Sequence, residues 1–576
     1  MAEQIISPGV FQIESDQSLY SQTTPIVGTA IIGPTAKGLP LVPTYVTSYS
    51  QYQSLFGEVI YSGSYSYEYF TSIAAREFFS NGGKTLLVTS VISGSAGVST
   101  FANAGGVPTV AGGTGSVAAF NIEALTWGDI MNNTSSLTSG SLASGSAFNI
   151  RWEVSAVNTG SGTFTLAVRR GDDYDANKNY LEVWSNLSLD PNQNNYINRV
   201  IGDQKLVYTV DANGNSYIAT TGSYANVSQY IRITNTNPQI NSLDNLGNYK
   251  ATALSGSLPA AGSGSYGGSF SGGLPRTTTA QLFNENITAT NIQGYAPADY
   301  QNAFNLLTNA DDYQFNVIIA PGVGLDNSAA SSLIALTQNR GDSFSPVDTG
   351  VYGTLVNQAT QNAAGQSSNY SACYYPWVQL YNSNLGKAVW VPPTTVIGGV
   401  LAFNDSVGQP WFAPAGINRG GIPDVLKAER RLSQTDRDTL YSANVNPLAT
   451  FPNNGVVVFG QKTLQRKPTS LDRVNVRRLL IALKQYIGGI SRGLVFEQNT
   501  NTTRNKFLSQ VNPYLDSIVS RQGLYAYKVV MDDTNNTPSV IDRNQLVGQI
   551  YIQPTKTAEF IILNYNIQPT GATFPA

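Results

Sequence analysis

Three stretches in which the composition collapses into Gly, Ser, Ala and Thr, at 93–116, 134–146 and 255–273, constrain how this chain folds. Such tracts bury too little apolar surface to repay the entropy of ordering them, so they read as loops or linkers between cores. They divide 576 residues, a length that on a prior of about 150 residues per domain suggests roughly three or four domains. Between the tracts, strands alternate at Ala147–Val157, Thr163–Arg169 and Tyr180–Val183 with little helical periodicity. The span 96–285 therefore reads as an inserted, mostly β module.

The flanks read differently. Residues 1–20 carry Ile5, Ile6, Val10, Phe11 and Ile13 around a Pro8-Gly9 break, an extended arm with a short strand in it. Ile26–Ile32 is a β-branched strand, Ser66–Phe79 has helical spacing, Asn81-Gly82-Gly83 stops that helix, and Thr85–Val91 is a buried strand. From about Thr288 helices at Asp299–Leu307 and Ser328–Asn339 flank the apolar strand Phe315–Ala320, the pattern of an α/β layer with a parallel sheet. Beyond Gly421 the pattern is α+β, with a strand at Gly455–Phe459 and a helix at Leu471–Ile487. That helix opens on the capping-box pattern Thr469-Ser470-Leu471-Asp472, closes at Gly488, and carries the apolar stripe Val476, Leu480, Leu483 and Ile487. Arg473, Arg477 and Lys484 fall within about 40° of one another on the adjacent face. A second helix, Thr502–Val519, has Phe507, Val511, Leu515 and Ile518 on one side and a bend near Pro513. The apolar stretch Glu559–Ile567 reads as a terminal strand that needs a sheet to join. The expected divisions are an arm at 1–20, an N-terminal segment at 21–95, the β module at 96–285, an α/β domain at 286–420, a C-terminal domain at 421–557 and a second arm at 558–576.

Composition then removes chemistry. There is no histidine, which takes away the commonest general base, the usual partner of a Ser or Cys nucleophile and the commonest metal ligand. The single cysteine, Cys373, excludes an intrachain disulfide, a Cys/His zinc site and a CxxC redox pair, and its apolar, aromatic neighbours mark a buried thiol. Asn81-Gly82-Gly83-Lys84-Thr85 resembles the tail of a phosphate-binding loop, but Phe78 stands where that motif needs its first glycine. Gly262, Gly264 and Gly267 satisfy GxGxxG inside a Ser/Gly tract with no buried strand before it, a match of composition only. Asp172-Asp173-Tyr174-Asp175 has the ligand type for a hard cation and equally the composition of an ordinary turn. Asp405, Asp424 and Asp436 are isolated carboxylates with no partner legible in sequence. No cofactor is expected.

The net charge of −3, with only 12% charged residues, gives no global attraction to nucleic acid or to an anionic membrane. The charge is uneven, however, with 18 Lys and Arg against 11 Asp and Glu from Gly421 onward and 15 against 25 before it. The basic helix face is therefore either solvated or a docking surface for an acidic protein; nucleic acid is disfavoured because no aromatic residues interleave the charges. The opening MAEQIISPGVFQIESDQ lacks a basic n-region and an apolar h-region, and the chain contains no run of about 18 apolar residues, so the expectation is a soluble chain without a cleaved signal.

Ordered strings along the chain resemble the tail sheath proteins of contractile-tailed bacteriophages. Ser7-Pro8-Gly9-Val10-Phe11 looks like that family's opening arm, Gly33–Gly38 and Leu55-Phe56-Gly57 like its next elements, and Phe78–Gly83 like its FF-x-NGG turn. Asn186–Pro191, Tyr375-Pro376-Trp377, Val391-Pro392-Pro393 and Ala413–Gly416 resemble successive family strings. The most specific similarity is C-terminal: Asn446-Pro447, Gly455–Gly460 with Lys462-Thr463-Leu464, Val474–Leu479 and Phe496–Asn499. The module at 96–285 matches weakly apart from one string.

The resemblance implies a multidomain α+β protein: a C-terminal core domain completed by the N-terminal segment, an α/β middle domain of subtilisin-like fold without activity, and an outward β-rich module. It implies a structural subunit that forms stacked six-fold rings around an inner tail tube and contracts to drive that tube through the host envelope. The implied partners are other copies of the chain, the tube protein and the baseplate and tail terminator proteins, with no nucleic acid and no membrane. The implied location is the virion tail, with assembly in the host cytoplasm. The arms would link neighbours through Ile6, Val10, Phe11 and Ile13 at one end and Phe560, Ile561, Ile562 and Leu563 at the other. Arg473, Arg477, Lys484, Arg504 and Lys506 would face the tube. The alternative is a β-rich virion surface or adhesive protein whose module binds a receptor or carbohydrate. A hydrolase in the middle domain is disfavoured by the missing histidine.

Overall fold

A computed structural model describes residues 28–62, 65–91, 109–111, 118–131, 133, 140–238, 245–248, 258–264, 268–270 and 287–561. Its centre is a mostly parallel sheet built from two distant parts of the chain. Thr29–Gly33 lies between Leu86–Ser90 and Val317–Ile319, parallel to both, with Ile31 opposite Val88 and Ile319. Thr44–Val46 adds an antiparallel edge to Leu86–Ser90. A second set continues alongside: Ser345–Asp348, Ser371–Tyr375 and Val445–Phe451 run parallel, and Gly455–Val458 closes the edge antiparallel. The two sets meet where Ile318 N donates to Phe344 O at 2.9 Å.

Strands such as Thr29–Gly33, Leu86–Ser90 and Ser371–Tyr375 are buried along their whole length, as expected when helices cover both faces of a parallel sheet. One face packs Ala30, Ile32, Leu87 and Ile318 against Ala330, Leu333 and Ile334 of the helix Ser328–Arg340. The other packs Ile31, Val88 and Ile319 against Phe70, Ile73 and Ala74 of the helix Phe70–Ser80 and Val396, Ile397 and Val400 of the helix Pro393–Val407. These last two helices approach closely at Gly399, where a Cβ would stand 2.8 Å from Glu77 O.

The module between these parts is β-rich. Its antiparallel sheet Tyr180–Ser188, Thr163–Arg170, Ile150–Asn158 faces a second one formed by Ile231–Thr234, Ala118–Ala124 and Thr109–Ala111. Phe120 stacks on Phe164 at 5.6 Å between them, within a core shared with Val154, Leu166 and Ile233. The module is tied to the central layer by Trp127 N, which donates to Gly38 O at 3.1 Å, and by Lys37 Nζ, which donates to Phe148 O at 3.2 Å.

Several expectations are corrected. Helical spacing from Ser66 is interrupted: Tyr65–Glu68 pairs as a hairpin with Val59–Ser62, and the helix starts at Phe70. The described part of the N-terminal segment completes the central sheet rather than the C-terminal domain, because its apolar strands are buried between Val317–Ile319 and two layers of helices. The central layer also runs past Gly421, since Val445–Phe451 and Gly455–Val458 are its strands. The expected helix at Leu471 begins at Val474, because Thr469 caps only a short 3-10 turn, Ser470–Asp472. It also continues through Gly488-Gly489 to Arg492. Two exposed helical glycines cost about 1 kcal/mol each, which packing of Ile487 and Ile490 on the C-terminal core offsets.

Candidate assembly interface

The C-terminal region is organised by two helices and a hairpin. Val474–Arg492 and Asn501–Ser520 pack through Leu479, Leu483, Phe507, Val511, Leu515 and Ile518. Thr500 caps the second helix, its hydroxyl accepting from Thr503 N. The strands Leu524–Val530 and Gln549–Pro554 lie against these helices through Leu524, Val529, Ile550 and Ile552. This ladder has only two strands, and among the described residues neither outer edge is paired. Its other face shows Tyr525 and Tyr551 to solvent. A two-stranded sheet is marginal alone, and an open edge presents unpaired backbone groups to any extended chain.

The first helix bolts this region to the central layer. Arg478 Nη2 donates to Asp405 Oδ2 at 2.5 Å, and Gln485 Nε2 donates to Asp342 O at 3.1 Å. Arg477 lies over the Tyr370 ring at 4.0 Å and donates to Asn369 Oδ1 at 2.8 Å. Lys484 Nζ donates to Tyr370 OH at 3.0 Å. Burial alone would raise the Tyr370 hydroxyl, but the Lys484 hydrogen bond and the Arg477 charge outweigh it and hold it below its ordinary value.

After Pro554 the chain turns back as a strap over the seam. Thr555 N donates to Gly523 O at 3.2 Å. Farther on, Arg473 grips Glu559 through Nε at 2.6 Å and Nη2 at 3.0 Å, while Tyr441 OH and Gln461 Nε2 donate to the same carboxylate at 2.8 and 3.1 Å. Burial pushes that carboxyl up, and the donated hydrogen bonds and the Arg473 charge more than reverse it, leaving Glu559 below its usual range. Under the strap is a groove of about 660 Å³ between Pro468–Val476 and Pro554–Phe560.

The sequence-predicted residues divide accordingly. Of the arm positions, Ile6, Val10, Phe11, Ile13, Ile562 and Leu563 lie outside the described residues. Phe560 and Ile561 are 79% and 77% exposed at the end of the strap, and no strand forms at 559–561. Of the basic positions, Arg477 and Arg504 are corrected: both are buried. Arg504 donates to Asn499 Oδ1 at 3.0 Å, Asn501 Oδ1 at 3.2 Å and Asp533 Oδ1 at 2.5 Å. Arg473 is committed to Glu559 and Lys484 to Tyr370, because this helix face meets the chain's own central layer. Lys506 is exposed.

Positions with a chemical look are structural. Asp173 receives Arg169 Nε at 2.8 Å and Arg151 Nη1 at 3.2 Å, so its carboxylate is neutralised by buried guanidiniums rather than left for a cation. Asp348 sits at the C-terminal end of a parallel strand, where α/β folds place their ligands. It accepts from Thr394 N at 2.8 Å, Thr394 Oγ1 at 2.6 Å and Gly322 N at 3.1 Å, capping the helix Pro393–Val407 across the fold. Full burial pushes its carboxyl up to about 7 against those three hydrogen bonds. Among the described residues no group of three His, Cys, Asp or Glu is placed to hold a metal, and no helix is long and apolar enough to cross a membrane.

Residues 293–464 match the phage tail sheath protein central domain, and residues 466–568 match the phage tail sheath C-terminal domain. Together these two matches, both to phage tail sheath domains, cover a little under half of the chain. The tail sheath protein of Enterobacteria phage T4 is 40% identical over 221 residues, 38% of this chain and 34% of that protein. The tail sheath protein of Vibrio phage KVP40 is 38% identical over 217 residues, 38% of this chain and 32% of that protein. The similarity thus spans about a third of the length of these two curated relatives. The crystal structure of a sheath tail protein from Listeria innocua shares the fold at a TM-score of 0.51 and 12% identity, over 92% of this chain and 95% of that one. The tail sheath family boundary at 464–466 coincides with the seam crossed by Arg477 and Arg478.

Proposed function

We propose that this chain is a structural, non-enzymatic subunit of a contractile phage tail sheath. It polymerises as stacked six-fold rings around the inner tail tube, and the lattice contracts to drive the tube through the host cell envelope. The carrying observation is the match of residues 293–464 and 466–568 to the two tail sheath domains in order. The open-edged hairpin supports a linkage by β-augmentation, in which an arm of a neighbouring copy adds a strand to Leu524–Val530 or Gln549–Pro554. Such a joint makes about four to six backbone hydrogen bonds at about 1 kcal/mol net each, plus burial of arm residues such as Val10 and Phe11. Each joint is modest, and a lattice multiplies it.

In this reading, energy stored in the extended lattice at assembly is released when the baseplate lets subunits rotate, and the joints persist as hinges. The central domain acts as a subtilisin-like scaffold without a catalytic site. Lys506, exposed on the helix Asn501–Ser520, is the basic residue proposed to meet an acidic tube. The tail terminator completes the partner set, and assembly takes place in the host cytoplasm before the sheath enters the virion. Negative-stain electron microscopy of the purified protein tests the proposal: striated tubes or stacked rings are expected, and particles that stay monomeric with a tube protein present would overturn it. Deletion of residues 1–14 should give a folded protein that no longer forms tubes.

A further inference from the structure

The strap 555–561 is fastened in an unusual way. Among the described residues no backbone–backbone hydrogen bond holds 556–561. The last one upstream is Thr555 N to Gly523 O. Beyond it the fastenings are side-chain contacts: Gln461 Nε2 to Thr557 Oγ1 at 2.5 Å, and the Glu559 carboxylate with its donors Arg473, Tyr441 and Gln461. The donors come from three places, the helix Gln434–Ser442, the loop after Gly455–Val458 and the residue preceding Val474–Arg492. One acidic side chain therefore ties the end of the C-terminal domain to the central layer, beside a groove of about 660 Å³ lined by both segments.

We infer that Glu559 is a clasp that fixes the direction in which the chain leaves the C-terminal domain, so that Phe560 and Ile561 are presented to a neighbouring copy already aimed. This rests on the proposed sheath assembly for its use, but the clasp itself belongs to the single chain. A planar guanidinium gripping a carboxylate at two points fixes orientation as well as distance. With the clasp open, the strap pivots about Thr555 and its exposed apolar end samples many directions. A joint formed from that state bears the entropy of orienting it, as any unorganised binding segment does.

Lys556 provides the probe, being exposed and inside the strap. Trypsin cleavage after Lys556, detected by mass spectrometry on the full-length protein, reads strap opening. Glu559→Ala should be cut there at least tenfold faster than the unsubstituted chain, with cleavage elsewhere unchanged. Arg473→Met, which removes the two-point grip and leaves the strap sequence intact, should speed the same cleavage. An unchanged rate at Lys556 in Glu559→Ala or in Arg473→Met would overturn the clasp. If the unsubstituted chain forms no tubes, the sheath reading falls while the cleavage result still decides the clasp; where tubes form, Glu559→Ala should raise the protein concentration needed for them.

Discussion

Replacing Arg504 by Met separates a structural basic residue from an interface one. The guanidinium is buried in the turn between the two long helices and reaches Asn499, Asn501 and Asp533. Asp533 is 81% exposed, so that ion pair is worth at most about 1 kcal/mol. The two amide acceptors each take a charge-assisted hydrogen bond, worth about 1.5 kcal/mol or more apiece, and the desolvation relieved by removing the charge subtracts from the sum. Methionine keeps most of the packing of the stem. The net expectation is a loss of about 2–3 kcal/mol, or roughly a 30- to 150-fold increase in local opening at 1.4 kcal/mol per tenfold. Amide hydrogen exchange of the native protein is the suitable assay, because a chain of several domains has no single unfolding free energy. Amides at 499–505 and 531–536 should lose protection while Ile31 and Val88 in the central sheet do not. Unchanged protection at 499–505 would refute the staple and return Arg504 to the surface role expected from its charge.

Three other buried positions give measurable outcomes. Burial beside Asp424 raises the Glu77 carboxyl to about 7, above its unfolded value, so the unfolded chain releases this proton first and stability falls as pH rises from about 4.5 to 7; Glu77→Gln should flatten that fall in denaturant melts at pH 5 and pH 8. Cys373 is fully buried and its thiol is raised by burial, so alkylation by iodoacetamide at pH 8 should await unfolding, and rapid labelling of the native protein would contradict the placement. Gly399→Val forces a side chain against Glu77 O, 2.8 Å from the added Cβ, and should cost about 1–3 kcal/mol in the denaturation midpoint of the central domain by separating its two packed helices.

How far sequence carried depends on which interaction decides each feature. Buried strands and the long helices were legible because their cause is local: continuous apolar runs at Leu86–Ser90, and the stripe Phe507, Val511, Leu515, Ile518 on Asn501–Ser520. The joining of Thr29–Gly33 to Val317–Ile319 was not legible, because it pairs strands almost three hundred positions apart across an inserted module. The start of the helix Val474–Arg492 misled for a related reason. Thr469 has capping chemistry, but Val474 N donates to Gln461 O and fixes the first turn through a distant loop. The clasp at Glu559 left no signal at all, since a lone acid near the end of a chain looks like a solvated residue until Arg473, Tyr441 and Gln461 are brought to it.

The charge asymmetry shows most clearly what one chain settles by itself and what it leaves to others. The surplus of basic residues after Gly421 suggested attraction to an outside partner, yet two of them form ion pairs with the acidic remainder and two more, Arg477 and Lys484, pack on Tyr370 across the seam. Arg478 meets Asp405 and Arg492 meets Asp311, each pairing the basic end with the acidic remainder, while Arg473 and Arg504 are taken by Glu559 and Asp533. A basic stripe read from helical spacing alone counts charges without their partners, and burial selects those that have them. The apolar counterpart behaves in the opposite way. Phe560, Ile561, Tyr525 and Tyr551 remain exposed beside a hairpin with two open edges, and no fold of the described residues covers them. Charges met inside the chain stabilise the subunit, whereas unpaired edges and exposed aromatic rings lower their free energy only against another surface. In the proposed sheath, the hairpin and the end of the strap, rather than the basic helix, are therefore the surfaces expected to meet neighbouring copies.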